Sequence, residues 1–182
     1  MYFNEKGKSN TEKTVELAIK AAKEKNIKNI VVASCSGDTV KLIKNNQDFN
    51  IVCVTHAYGY KGPGQNEMSE DVREELKGIG IKILTTAHVL SGAERGISTK
   101  FGGVNPVEII AYALRMLGQG TKVCVEVAVM ALDSGIIPYG EKVIAIGGTG
   151  LGADTAVVIT PAHASNIFST KIHEIICKPE NF

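Results

Sequence analysis

A polar run that could bind phosphate lies at Ser34–Thr39 (SCSGDT), directly after the apolar, β-branched segment 30–33. Its small hydroxyl side chains and Gly37 suit a turn that aims several backbone N–H groups at one point, where the dipole of a following helix adds positive charge. The run therefore predicts a phosphate-binding turn between a strand and a helix. Asp38 leaves a second interpretation open, because its carboxylate could cap the same N–H groups without a ligand.

A second candidate is the glycine-rich run Gly147–Asp154 (GGTGLGAD). Gly148, Gly150 and Ala153 match the G-x-G-x-x-A spacing of a dinucleotide-binding turn. That fingerprint has to open a helix, whereas the β-rich sequence TAVVIT follows here. We interpret the run as a tight connection between two strands, whose glycines still allow a ligand to approach the backbone closely.

His56 is the candidate for acid–base chemistry, since it follows the apolar segment 51–55 and opens the glycine-rich loop 56–68. A loop of this length is usually functional or disordered. Its tyrosines and Lys61 could fold over a planar ligand, with the lysine reaching a phosphate. The imidazole could transfer a proton or hydrogen-bond a ring, and a purely structural histidine is the alternative. Pairing His56 with Ser34 or Cys35 as a nucleophile would rest only on the proximity of two strand ends.

Glu126 stands out because the segment around it, KVCVEVAVMALD, is otherwise nearly all apolar. An unpaired carboxylate in a buried segment is costly. The side chain therefore needs Arg115, Lys122 or a backbone group as its partner, or it faces a pocket. Both interpretations stay open at this point.

Composition excludes several classes of protein. The 182 residues carry 20 Lys+Arg against 19 Asp+Glu, which argues against a dedicated nucleic-acid binder. There is no apolar run of about 18 residues and no signal peptide, so we expect no membrane contact and a cytoplasmic location. The four cysteines lack ligand spacing and are expected to be reduced thiols. The remaining histidines also lack such spacing, so we expect no metal: His88, His163 and His173.

Strands alternate with helices along the whole chain, which predicts a three-layer α/β/α domain spanning residues 1–182. Apolar segments predict strands at 30–33, 51–55, 81–84, 142–146 and 155–160, and the tail KIHEIICKP could add another. Asn105, Pro106 and Glu108 predict a helix start, as cap, N1 proline and N3 acid. Segment 122–134 fits either a strand or a helix. Segment 85–103 has weak periodicity, and we expect it to be irregular.

These motifs resemble the C-terminal domain of pyruvate kinase. SCSGDT resembles the loop that holds a sugar phosphate in many of those enzymes, and VEVAVMALDSGIIPYGEKVIAIGGTGLGADTAVVI resembles their helix, strand, glycine-rich loop and last strand. The resemblance covers most of the chain and favours a helix for 122–134. It does not extend to the catalytic barrel, so kinase activity is not carried over.

The whole length is similar to a family of stand-alone archaeal and bacterial proteins of this fold, through NTEKTVELA, VVASCSGDT, VCVTHAYGYKGPG, LRMLGQGTKVCVEVAVMALDSG and GGTGLGADTAVVITPAH. Members of that family resemble FMN-binding proteins. The resemblance implies a five-stranded, mostly parallel sheet in the order 3-2-1-4-5, with the last strand antiparallel. It also implies FMN as the cofactor and, by analogy, self-association into a homo-oligomer.

The implied function is a cytoplasmic FMN-binding protein, with flavin-dependent oxidoreductase as the first class of activity to test. The alternative is a non-catalytic sensor module that binds a phosphorylated metabolite. His56 would be the catalytic acid or base. The resemblance places the phosphate on the 34–39 loop and the ring near 55–57 and 147–154, which implies these ligand-binding residues: Ser34, Cys35, Ser36, Gly37, Asp38, Thr39, Thr55, His56, Ala57, Gly147, Gly148, Thr149, Gly150 and Asp154.

Overall fold

The computed structural model describes residues 1–43 and 47–182, and helices alternate with strands through most of this length. The elements are β1 (Tyr2–Phe3), α1 (Thr11–Glu24), β2 (Asn29–Ala33), α2 (Asp38–Lys41), β3 (Asn50–Val54), α3 (Glu70–Gly78), β4 (Lys82–Leu84), α4 (Gly92–Phe101), α5 (Pro106–Arg115), α6 (Gln119–Asp133), β5 (Val143–Gly147), β6 (Thr155–Thr160) and β7 (Lys171–Pro179). Short 3₁₀ turns precede α1 and β7.

The strands form one mixed sheet in the order β1-β7-β6-β5-β2-β3-β4. Strand β2 pairs in parallel with both β3 and β5, and β3 pairs in parallel with β4. Strand β6 runs antiparallel to β5, and β7 runs antiparallel to β6. The prediction of a five-stranded sheet is wrong, because β7 and the two-residue β1 extend the sheet beyond β6. An unpaired β6 would expose a row of free N–H and C=O groups, and the tail covers that edge.

Helices cover both faces of the sheet and give two apolar cores. Helix α1 packs on one face through Val15, Ala18 and Ala22. Helix α6 packs on the other face and is buried almost all round, from Gly120 to Leu132. Its alternating valines therefore belong to a largely buried helix, as the family resemblance favours, and not to a strand. None of the helices in the described part of the chain is long and apolar enough to span a membrane.

The expectation that residues 85–103 are irregular is wrong, because Gly92–Phe101 forms α4. No side chain of this helix is buried. A helix that buries no face needs no apolar stripe, so its sequence carries no helical periodicity to recognise. The predicted start of α5 is confirmed, since Glu108 Oε2 accepts the backbone N–H of Asn105 at 3.2 Å.

The glycine-rich run forms the tight connection between β5 and β6, and the carboxylate of Asp154 organises it. This fully buried side chain accepts hydrogen bonds from the backbone N–H groups of Gly7 (3.0 Å) and Thr149 (3.1 Å) and from the hydroxyl of Thr155 (2.7 Å). One carboxylate therefore joins the amino-terminal segment, the connection and β6.

We predict that Asp154→Ala lowers the free energy of unfolding by about 3 kcal/mol, because one buried and two partly buried donors lose a charged acceptor. Asp154→Asn keeps one acceptor oxygen, so its free energy of unfolding should fall by a smaller amount. Urea denaturation followed by circular dichroism measures both. Asp38→Ala removes an exposed carboxylate and is the control, with an expected change within about 0.5 kcal/mol. Equal stability of Asp154→Ala and Asp38→Ala would contradict the role given to Asp154.

Candidate functional site

A cavity of about 310 Å³ opens at the carboxyl ends of β2 and β3. In open α/β sheets this edge is where ligands bind, at the point where the strand order reverses. The reversal occurs at β2, which has β3 on one side and β5 on the other. Helices α4, α5 and α6 supply the opposite walls. The volume is at the lower end of the range for small-molecule sites.

Four of the residues predicted from sequence line this cavity: Cys35, Thr55, His56 and Ala57. They do so because each follows the last residue of a parallel strand, and parallel strands end at the same edge. The other predicted residues belong to the turn 34–39 or the connection 147–154 and do not line it: Ser34, Ser36, Gly37, Asp38, Thr39, Gly147, Gly148, Thr149, Gly150 and Asp154.

The turn after β2 is largely explained by the chain's own packing. Helix α2 is a single turn, so its dipole is small. The phosphate prediction relied on a larger helix dipole at this position. Gly37 has φ +92°, and a Cβ built there would lie 2.8 Å from Cγ1 of Val72. Ser36 Oγ accepts the backbone N–H of Asp38 at 3.4 Å. Close packing of Gly37 against α3 and a hydrogen bond within the turn account for these features, although no side-chain hydrogen bond caps α2. Phosphate binding at this turn stays a prediction.

Two buried hydroxyl groups on these loops are compatible with a ligand. Ser34 Oγ and Thr149 Oγ1 have no hydrogen-bond partner among the described residues. Ser34 is only 5% exposed. Buried polar atoms nearly always have a partner, which can be protein, water or ligand. The predicted loops therefore each retain one hydroxyl that is free to bind something outside the chain.

Cys35, His56 and Glu67 converge on the strand side of the cavity. The Cys35 sulfur, a ring nitrogen of His56 and a carboxylate oxygen of Glu67 all lie within 4.8 Å of one another. His56 Nδ1 is hydrogen-bonded to Glu67 Oε2. Burial raises the pKa of the Cys35 thiol to about 11. The thiol is therefore protonated at neutral pH and is not an activated nucleophile.

Aromatic rings form a second wall. The ring of Tyr60 lies 3.9 Å from that of His56 between centroids, with the planes tilted by 31°. The His88 ring lies edge-on to His56 at 5.4 Å. Burial lowers the pKa of His88, mainly through desolvation, so this imidazole is neutral at pH 7. Such a group of rings provides flat, partly apolar surface for a planar ligand.

Cationic side chains from three helices complete the walls: Arg95 of α4, Arg115 of α5 and Lys122 of α6. Lys122 pairs with Glu126, and Glu126 also accepts the backbone N–H of Leu90 at 3.0 Å. The structural interpretation of Glu126 is thus confirmed, although its side chain also lines the cavity. Arg115 donates to the neutral side chain of Gln119 at 2.7 Å. Among residues 1–43 and 47–182, neither arginine has a carboxylate within ion-pair distance.

Sequence reasoning missed Glu67, Arg95 and His88 as components of the site. Glu67 lies inside a glycine-rich loop, and Arg95 lies on α4, in a segment that the sequence predicts to be irregular. The sequence could point to Glu67 only through its position in the loop that follows β3, which was expected to carry ligand-binding residues. The convergence of these side chains depends on tertiary packing.

The family model of the pyruvate kinase alpha/beta domain matches residues 12–159 of the chain. Three solved structures of pyruvate kinase from Cryptosporidium parvum are similar to it. One is 19% identical, covers 83% of this chain and has a TM-score of 0.41. The complex with ADP is 19% identical, covers 89% of this chain and has a TM-score of 0.41. A third structure is 18% identical, covers 92% of this chain and has a TM-score of 0.38. The chain spans only 23% of the length of each of these enzymes.

We predict strong coupling between Lys122 and Glu126 in a double-mutant cycle. Glu126→Gln keeps an acceptor for Leu90 but leaves a buried ammonium group unpaired, which should cost about 3–5 kcal/mol of unfolding free energy. The double variant Lys122→Met with Glu126→Gln removes that charge and should recover much of the loss. Urea unfolding of the four proteins measures the coupling. Additive single effects would contradict the buried pair.

Proposed function

The chain belongs to the pyruvate kinase alpha/beta-domain family, and we propose that it binds a phosphorylated small molecule with a planar ring in the cavity at the carboxyl edge. FMN is the first candidate ligand. The observation that carries this proposal is the pair of arginines on the cavity wall, Arg95 and Arg115, neither of which has a carboxylate partner within the described residues. Guanidinium groups bind phosphate in a bidentate manner, and a carboxylate partner would compete with the ligand.

The aromatic wall supports the planar part of the ligand. His56 and Tyr60 present adjacent rings, and apolar side chains of β2, β3 and α6 line the same cavity, among them Val54, Val127 and Met130. A ligand with its ring system on this wall and its phosphate at the arginines would make both the stacking and the ionic contacts that the cavity offers. The 34–39 turn is the alternative phosphate position, supported by the family resemblance and by the unpartnered hydroxyl of Ser34.

When bound, FMN supplies hydride and single-electron transfer, and the chain supplies binding and orientation. Arg95 and Arg115 would hold the phosphate. His56, held by Glu67, would hold or move a proton beside the ring. This arrangement would make the protein a flavin-dependent oxidoreductase.

A non-catalytic sensor is the second candidate, and α4 is the observation that favours it. This helix buries no side chain, yet Gly92 and Arg95 of α4 line the cavity. A ligand that binds Arg95 would therefore order a loosely packed helix, as a sensor requires. Turnover with NAD(P)H and an electron acceptor would support the oxidoreductase, and recovery of unchanged ligand would support the sensor.

The cysteines support a cytoplasmic location for either function. All four are free thiols in the structure: Cys35, Cys53, Cys124 and Cys177. Thiols persist in the reducing cytoplasm.

We also propose that a second copy of this chain covers the exposed face of α5. Ile109, Tyr112 and Met116 lie on this face at helical spacing and are 60%, 68% and 75% exposed. Phe101 and Val104, on the adjoining segment, are each 76% exposed. Apolar side chains concentrated in this way are typical of an interaction surface.

We predict that Arg95→Ala and Arg115→Ala each weaken FMN binding by about 10- to 100-fold, because each removes a charge-assisted contact to phosphate. Quenching of flavin fluorescence measures the affinity. Riboflavin, which lacks the phosphate, should bind the variants and the unchanged protein equally. Lys100→Ala is the matched control, since this cation lies on the same helix outside the cavity lining. Ser34→Ala tests the alternative phosphate position, and a selective loss of FMN affinity there would contradict placement at the arginines.

We predict that Ile109→Glu raises the dissociation constant for self-association at least about tenfold, because it places a charge in the apolar face. Sedimentation velocity over a range of protein concentrations measures the constant. Leu151→Glu changes an even more exposed apolar side chain elsewhere and should have no effect. A protein that stays monomeric at every concentration would contradict the proposed interface.

A further inference from the structure

We propose that Cys35, His56 and Glu67 form a binding site for a divalent transition-metal ion, with Zn²⁺ as the best chemical match. The site goes beyond the proposed function, because it requires neither a flavin nor a phosphate. It also departs from the expectation, drawn from the spacing of the cysteines and of the other histidines, that the protein holds no metal.

The first argument is the convergence of three donor atoms from separate segments. Cys35 follows β2, His56 follows β3, and Glu67 lies in the loop before α3. Their sulfur, nitrogen and oxygen atoms are within 4.8 Å of one another. Ligand atoms about 2.0–2.3 Å from a tetrahedral zinc ion are about 3.3–3.8 Å apart. The hydrogen bond between His56 Nδ1 and Glu67 Oε2 would open on binding, so that the ion takes the place of the shared proton between the two side chains.

The second argument is the type of donor. Thiolate, imidazole and carboxylate are the three side chains that bind zinc, whereas Mg²⁺ and Ca²⁺ require oxygen ligands. A set with one sulfur, one nitrogen and one oxygen thus favours Zn²⁺ or Co²⁺. Binding would displace the thiol proton of Cys35 to solvent and leave a thiolate–metal bond.

The third argument is the surrounding support. The backbone of His56 favours the thiolate form of Cys35 by lowering its pKa, which is how an outer contact supports a metal-bound thiolate. The ring of Tyr60 lies against the His56 imidazole and limits its rotation.

The position of the site suggests what it could do. Cys35 and His56 both line the cavity. Three protein ligands leave a fourth coordination position, and such open sites are typical of zinc that contacts a substrate or water. A ligand in the cavity could therefore reach the metal directly.

The test is a titration of the full chain with Co²⁺ and Zn²⁺ after treatment with a chelator, without added flavin. We expect one equivalent of Co²⁺ to give a thiolate-to-cobalt charge-transfer absorption, and Zn²⁺ to abolish it by competition. Cys35→Ala and His56→Gln should abolish this absorption. Glu67→Gln should weaken binding at least about tenfold. Circular dichroism checks that each variant is folded.

The matched control is His163→Gln, because His163 also pairs with a carboxylate, Asp133, at 2.7 Å but lies outside the proposed site. We expect this variant to bind Co²⁺ as the unchanged protein does. The proposal is overturned if the folded protein gives no thiolate–cobalt absorption at micromolar concentration, or if the absorption persists in Cys35→Ala. Flavin binding is measured separately with chelator present, so its outcome tests the proposed function and does not depend on the outcome of the Co²⁺ titration.

Discussion

The parallel pairing of β2 with both β3 and β5 is the interaction on which the site depends. Ile30 pairs with Ile51 on one side and Ile144 on the other, and all three strands point in the same direction. Their carboxyl ends therefore meet at a single edge of the sheet. The chain leaves this edge at Cys35, His56 and Gly148, which are distant in sequence. A change in the register of β2 against β3 would move Cys35 and His56 apart and remove the site.

Burial of α6 is the second constraint, because this helix forms both a core and a wall of the cavity. One side packs against the sheet, while Lys122 and Glu126 face the cavity as a buried ion pair. Such a pair contributes little net stability, but breaking it leaves an uncompensated charge. It also fixes the backbone at Leu90, in the segment that leads to α4. The pair thereby connects the rigid core with the loosely packed helix that carries Arg95.

The same edge of the sheet combines two kinds of site. Helices α4 and α5 present the two arginines, which suit an anion. The strand ends present a thiol, an imidazole and a carboxylate, which suit a metal ion. The cavity between them is lined by rings and aliphatic side chains. Cationic, aromatic and aliphatic side chains thus surround one cavity, and the metal-ligating group lies at its strand side.

Local patterns in the sequence determined the α/β class, the five central strand segments and the capped start of α5, because periodicity and capping depend on neighbouring residues. They also placed Cys35 and His56 at strand ends. The tail KIHEIICKP was also a candidate strand in the sequence and forms β7. The tertiary structure decided that it pairs with β6 and that β1 adds a seventh strand beyond it. It decided that α4 is a helix, since no buried face marks it in the sequence. It also brought Glu67 to His56 and Arg95 to Arg115, because a site formed by side chains from separate elements exists only after those elements pack together.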